Sequence, residues 1–462
     1  MSKPQLLALL SAVLLYFTVS LHPVWWVAWI APVPLLYAAF QTTRREAGWL
    51  AFGAAALAYC SNAHYYWLIG GPSVVVAVVL IALQAFLWRA AVQFTHRVVT
   101  RERRWYAVFA YPVAWAALDT LVALLSPHSS FGSLAYSQGD VLPVLQVASF
   151  AGTPGVVFLL CLPASVVAIA LEYRPRLRML APALAVVVLA LVYGAVIPTV
   201  GDARELSVNM PRVRVGLLAI DDLISDRGPT AEADRVWMRY QDGIKDLARR
   251  GAEIILLPEK IEDFKTPERS REKMTMLAEA ARANNVYIGA GTSVPVDGRM
   301  YNRLWLVGPE TVVQYDKMHL VPGLESYLTP GDKPVVARVG RVRYGLGVCK
   351  DYHFPSFGRM YGREGVDVVL DPAWDFQEDA WMAARLSAIR GIESGFAMFR
   401  ASREGLLTVT DRFGRIAAET RSSGSLIVDF AVSPGSATFY SRFGDVFGWL
   451  MVACAVALRL FA

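Results

Sequence analysis

Cysteine is scarce in this chain, with four in 462 residues, and charge is scarce too, with 18% Asp, Glu, Lys and Arg. Cys60, Cys161 and Cys454 lie inside apolar runs, which leaves Cys349 as the one thiol in a mixed polar stretch. A lone thiol has no disulfide partner, so a disulfide-stapled scaffold is excluded and Cys349 reads as a nucleophile. The chain has no internal repeat, low-complexity tract or glycine-rich phosphate loop, which removes repeat arrays and P-loop nucleotide chemistry. His319 and His353 belong to no cluster with ligand spacing, so no metal and no other cofactor is expected.

What is abundant is apolar side chain, 55% of the sequence. That is too much for a wholly soluble protein, yet the apolar residues are unevenly spread. Runs near the roughly 20 residues a bilayer core requires extend over 4–20, 23–40, 48–68, 74–94, 105–125, 144–171 and 179–197, and a last one over 446–461. The formal charge of +6 does not indicate nucleic acid, because much of the excess is arginine in short gaps between these runs, as at Arg44, Arg45, Arg97, Arg101, Arg174, Arg176 and Arg178. The alternate gaps, around His22, around Gly70 and from Pro127 to Pro143, contain no Lys or Arg. By the positive-inside rule the N-terminus is cytoplasmic, and seven spans then place the residues after Pro198 outside. No small-residue cleavage site comes after the first run, so it is expected to be retained.

After Pro198 the pattern changes to alternating strands and helices. Strands are expected at 212–220, 253–257, 286–290, 304–307, 312–315, 342–348, 366–370, 397–400 and 406–410, with helices near 236–247, 267–285 and 378–394. This predicts a layered α/β domain over 210–432 between a seven-span region, 1–200, and a C-terminal transmembrane helix, 444–462.

Three motifs fall where strands end: Ile254–Glu259, Tyr315–Pro322 and Gly347–Pro355. Their Glu259, Lys317 and Cys349 resemble the Glu-Lys-Cys triad of the nitrilase (carbon-nitrogen hydrolase) superfamily, and Glu325 resembles its second glutamate. Asp371–Trp374 and Arg390–Ser402 resemble its later motifs. In the membrane half, Leu134–Gln138, Leu145–Ser149 and Gly152–Val156 resemble the apolipoprotein N-acyltransferase family, as does the order of spans and domain. The resemblance implies a multi-span α-helical bundle plus an extracytoplasmic α-β-β-α sandwich, with Glu259, Lys317, Cys349 and Glu325 catalytic. It also implies a phospholipid acyl donor, a diacylglyceryl-lipoprotein acceptor and a bacterial inner-membrane location. The chain departs from that family at Lys260 after Pro-Glu, at Lys350-Asp351 after the cysteine, and at Ser402-Arg403-Glu404 before Gly405.

The residue types suit acyl transfer. A thiol is mostly protonated at neutral pH, so a carboxylate such as Glu259 must take its proton, and a cation such as Lys317 favours the thiolate. Charge developing on the attacked carbonyl oxygen needs preorganised donors, for which Lys317 and the Lys350 backbone N–H are the candidates. Glu325 is expected to position Lys317 or assist proton traffic, and Val321, Leu324, Tyr327 and Leu328 to form an apolar lid. Taken singly, each has an ordinary reading: Cys349 as a small strand residue, Glu259 and Lys317 as solvated charges, Glu325 as a partner of Lys333. Two other enzymatic readings stay open, a membrane-tethered amidase in which water resolves the thioester and an N-acyltransferase acting on a different amine, beside a non-enzymatic lipid-binding scaffold.

Overall fold

The computed structural model describes residues 1–71, 73–102, 104–205, 210–222 and 230–461. The chain divides into two compact units, one of Met1–Val200 with Phe443–Ala462, the other Gly201–Arg442.

The first unit is helical. Val74–Arg101, Trp105–Leu125, Ala148–Tyr173 and Leu177–Ala203, of 28, 21, 26 and 27 residues, are long and apolar enough to cross a membrane. At about 1.5 Å rise per residue, each spans the roughly 30 Å of a hydrocarbon core. Lys3–Val19, Val27–Phe40 and Val446–Phe461 are shorter apolar helices. The run expected over 48–68 is divided, with helix over Arg44–Tyr59 and again over Ala63–Ile69. At the break, Asn62 donates its side-chain amide to the Val19 carbonyl at 2.7 Å, a polar contact that competes with continuous helix. Large apolar side chains such as Leu9, Val75, Val79, Phe86, Leu189 and Trp449 remain exposed, as they would where the surrounding solvent is hydrocarbon. The last helix approaches closely because Gly448 has no side chain: a Cβ there would sit 2.4 Å from Thr120 Oγ1.

Among the described residues the second unit holds two six-stranded sheets. In chain order the strands are β1 (Arg212–Ala219), β2 (Ile254–Leu256), β3 (Tyr287–Val296), β4 (Arg299–Val307), β5 (Val312–Asp316), β6 (Val335–Val339), β7 (Val342–Leu346), β8 (Val368–Trp374), β9 (Ala397–Arg403), β10 (Leu406–Thr410), β11 (Ile416–Arg421) and β12 (Gly424–Ala431). One sheet runs β12-β1-β2-β3-β4-β5 and the other β11-β10-β9-β8-β7-β6. They face each other, β3 against β8 and β1 against β9. Val236, Trp237, Tyr240, Ile244 and Leu247 of one helix, with Leu277 and Ala281 of the next, cover the outer face of the first sheet in one apolar cluster. Pro355–Arg363 and Ala380–Ser394 are the helices associated with the second sheet. The result is an α-β-β-α sandwich.

Where sequence and structure differ, the cause is local. β3 and β4 run further than their apolar cores because Asp297-Gly298, both at positive φ (48° and 75°), close a tight hairpin between them. β6, β11 and β12 were not expected. They lie at or near sheet edges with partly exposed side chains such as Glu419 and Arg421, so they carry no continuous apolar signal.

Candidate active site

The three motifs emerge where strands end. Glu259 lies three residues past β2, Lys317 directly follows β5, and Cys349 lies three residues past β7. The β2 segment is held close to β3: a Cβ at Gly291 would come within 2.7 Å of both the Glu259 Cα and the Pro258 carbonyl oxygen. Only glycine permits that approach.

Lys317, 1% exposed, donates to Glu259 Oε1 at 2.8 Å and to Glu325 Oε2 at 2.9 Å. Asn302, fully buried on β4, donates to Glu259 Oε1 at 2.6 Å and to Glu325 Oε1 at 2.9 Å. One ammonium and one amide thus tie two buried carboxylates into a closed network. Glu325 also accepts from the Val321 backbone N–H at 2.8 Å and faces Lys260 Nζ at 3.8 Å. Its partner is therefore the Lys317 cluster and not Lys333. Burial alone would lower the Lys317 pKa, but the Glu259 and Glu325 charges outweigh it and hold it well above the ordinary lysine value. Burial likewise works to raise Glu325, and Lys317 and Lys260 outweigh it, so that carboxyl is held below its usual value. An ammonium has three donors, and Lys317 gives two of its own to carboxylates. One remains.

Cys349 has φ of +46°, a left-handed conformation that is costly for a residue with a side chain. Its N–H donates to Asp371 Oδ1 at 2.8 Å. Asp371 in turn accepts from Ser387 Oγ at 2.9 Å and Arg400 Nε at 3.0 Å, and Arg400 clamps Asp375 with bonds of 2.9 and 2.7 Å. Cys349 Sγ lies 4.0 Å from the Trp374 carbonyl oxygen. Burial, then the Glu259 charge, push the thiol pKa well above its ordinary value, and Lys317 opposes them without prevailing. The resting group is a thiol. That sharpens the chemistry expected of Lys317, whose charge does not by itself generate a thiolate in the resting site.

The next turn is fixed by Asp351, fully buried, which accepts from the Val348 N–H at 3.0 Å, the His319 N–H at 2.9 Å and the Tyr315 hydroxyl at 2.7 Å. His319 Nδ1 lies 2.8 Å from Asp351 Oδ1 and its ring stacks on Phe354 with centroids 3.9 Å apart. Lys350 turns away to donate to the Leu320 carbonyl at 3.0 Å, and burial lowers its pKa to about 8. Of the expected apolar lid, Leu328 is buried while Leu324 and Tyr327 are exposed.

The sequence motifs therefore bring Glu259, Lys317 and Glu325 into one hydrogen-bonded cluster, with Cys349 in its electrostatic field. Sequence reasoning missed Asn302 and assigned no role to Asp371, Asp375 or Arg400. An asparagine inside the apolar strand Arg299–Val307 was the available signal for the first.

Residues 212–431 match the family described as carbon-nitrogen hydrolase, and residues 11–166 match the apolipoprotein N-acyltransferase N-terminal domain. A nitrilase of Pyrococcus abyssi is 30% identical over 188 residues, 38% of this chain and 71% of its own length. An apolipoprotein N-acyltransferase of Geobacter metallireducens is 26% identical over 503 residues, 100% of this chain and 95% of its own. The crystal structure of an amidase from Nesterenkonia sp. covers 51% of this chain and 96% of its own at 21% identity and a TM-score of 0.43. The second unit is a nitrilase-type domain of the carbon-nitrogen hydrolase superfamily. Within that superfamily the chain is similar over its whole length to the apolipoprotein N-acyltransferase family.

Proposed function

We propose that this chain is a membrane acyltransferase that takes an acyl chain from a phospholipid, holds it as a thioester on Cys349 and passes it to the α-amino group of a diacylglyceryl-cysteine lipoprotein. The observation that carries the reading is the geometry around a half-buried Cys349, whose thiol pKa is held up by burial and by the charge of Glu259, a carboxylate already anchored by Lys317 at 2.8 Å. The membrane-capable helices and the full-length relative support a lipid donor and a lipoprotein acceptor over a small soluble amide.

In the first half-reaction Glu259 takes the Cys349 thiol proton as sulfur adds to the ester carbonyl. The oxyanion meets the third Lys317 N–H and the Lys350 backbone N–H, which has no acceptor among the described residues. Collapse breaks the carbon–oxygen ester bond, and the proton on Glu259 goes to the departing lysophospholipid oxygen. In the second half-reaction the acceptor amine attacks the thioester and gives a proton to Glu259. The carbon–sulfur bond breaks, that proton returns to sulfur, and an amide leaves. Glu325 and Asn302 keep Lys317 and Glu259 in register throughout.

The arginine-rich gaps support a catalytic unit on the extracytoplasmic side of a bacterial inner membrane. The test of the reaction is intact mass spectrometry of the detergent-solubilised protein and Cys349→Ala after incubation with phosphatidylethanolamine. We expect an acyl-sized gain on the unsubstituted protein alone, removed by hydroxylamine and by a diacylglyceryl-cysteine peptide that becomes acylated. Release of free fatty acid with the peptide left unmodified would refute acyl transfer in favour of hydrolysis.

A further inference from the structure

Two of the cations by which this chain departs from its family converge on one indole. Trp374 ends β8 and Arg403 ends β9, and the parallel register sets the two side by side. The Arg403 guanidinium stacks over the Trp374 ring at 3.9 Å, and Lys260 Nζ lies 5.9 Å from the same ring and 5.4 Å from that of Tyr327. Trp374 is itself fixed, its Nε1 donating to Glu404 Oε2 at 2.9 Å.

Arg403 is 2% exposed, and its Nε is buried with no hydrogen-bond partner. The other buried arginines of this unit are paired: Arg303 with Asp316, Arg385 with Glu419, Arg390 with Glu393 and Arg400 with Asp371 and Asp375. Among the described residues Arg403 has no carboxylate within ion-pair distance. A buried charge without a partner is costly. Such a group persists where a ligand completes it.

We propose that Arg403 and Lys260, sharing the Trp374 ring, form an anion subsite for the phosphodiester of the acyl donor. A guanidinium presents a planar fork that fits phosphate oxygens in pairs, and Lys260 adds a point charge. Of the acids that face these two cations, Glu259 and Glu325 are held by Lys317 and Glu404 by Trp374, while Asp263 lies in the field of both and forms no ion pair with Arg403. Position selects the ligand. Trp374 also supplies the carbonyl 4.0 Å from Cys349 Sγ, so the subsite adjoins the attacked carbon. In a glycerophospholipid the phosphate and the ester are separated only by glycerol carbons, whereas a diacylglyceryl-cysteine peptide carries no phosphate. The subsite therefore serves the first half-reaction. This inference rests on the acyl-transfer reading above.

The test uses the full chain in detergent and three measurements. Thioester formation on Cys349 is followed against phosphatidylethanolamine and against diacylglycerol of the same chains, and glycerophosphoethanolamine or inorganic phosphate is tested for protection of Cys349 from iodoacetamide. We expect Arg403→Gln to raise the phosphatidylethanolamine concentration for half-maximal acylation about thirtyfold relative to any change with diacylglycerol. Lys260→Gln should do so less, and Arg403→Lys should restore part of the effect. Glycerophosphoethanolamine should protect the thiol in the unsubstituted protein and not in Arg403→Gln. Equal losses with both donors, or none, would overturn the subsite while leaving acyl transfer standing. Protection by inorganic phosphate as strong as by glycerophosphoethanolamine, without donor discrimination, would overturn the lipid assignment in favour of free phosphate. Absence of any thioester together with Arg403-dependent protection would sink acyl transfer and uphold an anion subsite.

Discussion

Lys317 Nζ and Glu259 Oε1 meet at 2.8 Å with both side chains almost fully buried, although 58 residues separate them in the chain. The pair is set by two strand ends on one sheet, and Asn302 and Glu325 close it into a four-residue network. Removing any member leaves a buried polar atom without its partner, so the network is sensitive to single changes.

Lys317→Met takes the ammonium from between Glu259 and Glu325 and leaves two buried carboxylates facing each other across Asn302. We expect a loss of about 3–5 kcal/mol in unfolding free energy and a fall in acylation rate of about 100-fold or more. Thermal unfolding in detergent and single-turnover acylation read the two effects separately. Lys317→Arg should not restore the rate, because a planar guanidinium cannot reproduce the ammonium geometry.

Glu259→Gln should separate thiol reactivity from catalysis. The Glu259 charge helps hold the Cys349 thiol pKa high, so neutralising it lowers that pKa and speeds alkylation by iodoacetamide near pH 8. Acylation by phospholipid should fall by about 100-fold or more as the base is lost. Parallel loss of both reactivities would refute the assignment of Glu259 as base.

Asp371 gives stability a specific pH dependence. Burial, only partly offset by Arg400, raises its pKa to about 7. The folded form then binds a proton that the unfolded chain has already released between about pH 4 and pH 7. The stability this group contributes is full below about pH 4 and is lost as pH rises toward 7, by on the order of a few kcal/mol. Asp371→Asn should flatten the decline over that interval, measured as melting temperature against pH. An unchanged slope would show that Asp371 does not titrate there.

Gly291→Ala tests the close approach behind Glu259. The new methyl would sit 2.7 Å from the Glu259 Cα and from the Pro258 carbonyl oxygen, neither of which is the end of a flexible side chain. The β2 end must shift, moving the carboxylate off Lys317. We expect acylation to drop by about tenfold or more with at most about 1–3 kcal/mol lost in stability. Full activity in the alanine variant would mean that the segment relaxes without moving Glu259.

The clustering of Glu259, Lys317 and Cys349 was legible because each follows an apolar strand run, as Ile254–Leu256 precedes Glu259 and Val342–Leu346 precedes Cys349. Local pattern and residue type suffice there. Edge strands such as Ile416–Arg421 were not legible, since exposed faces relax the alternation. The 48–68 run looked continuous because hydropathy does not register the Asn62 side chain bonded to Val19.

By itself the sequence determined the apolar runs, four of which form membrane-capable helices among the described residues, the change of pattern after Pro198 and the motifs that carry Glu259, Lys317, Glu325 and Cys349, all of which depend on neighbours along the chain. Only the tertiary structure decided that Asn302 bridges two carboxylates, that Asp371 fixes the Cys349 N–H, and that Arg403 is buried beside Trp374 with no carboxylate at ion-pair distance among the described residues. Those facts depend on partners brought together across strand ends, on the dielectric that burial creates and on which charges remain uncompensated, and none of these quantities is a property of a residue's neighbours in sequence.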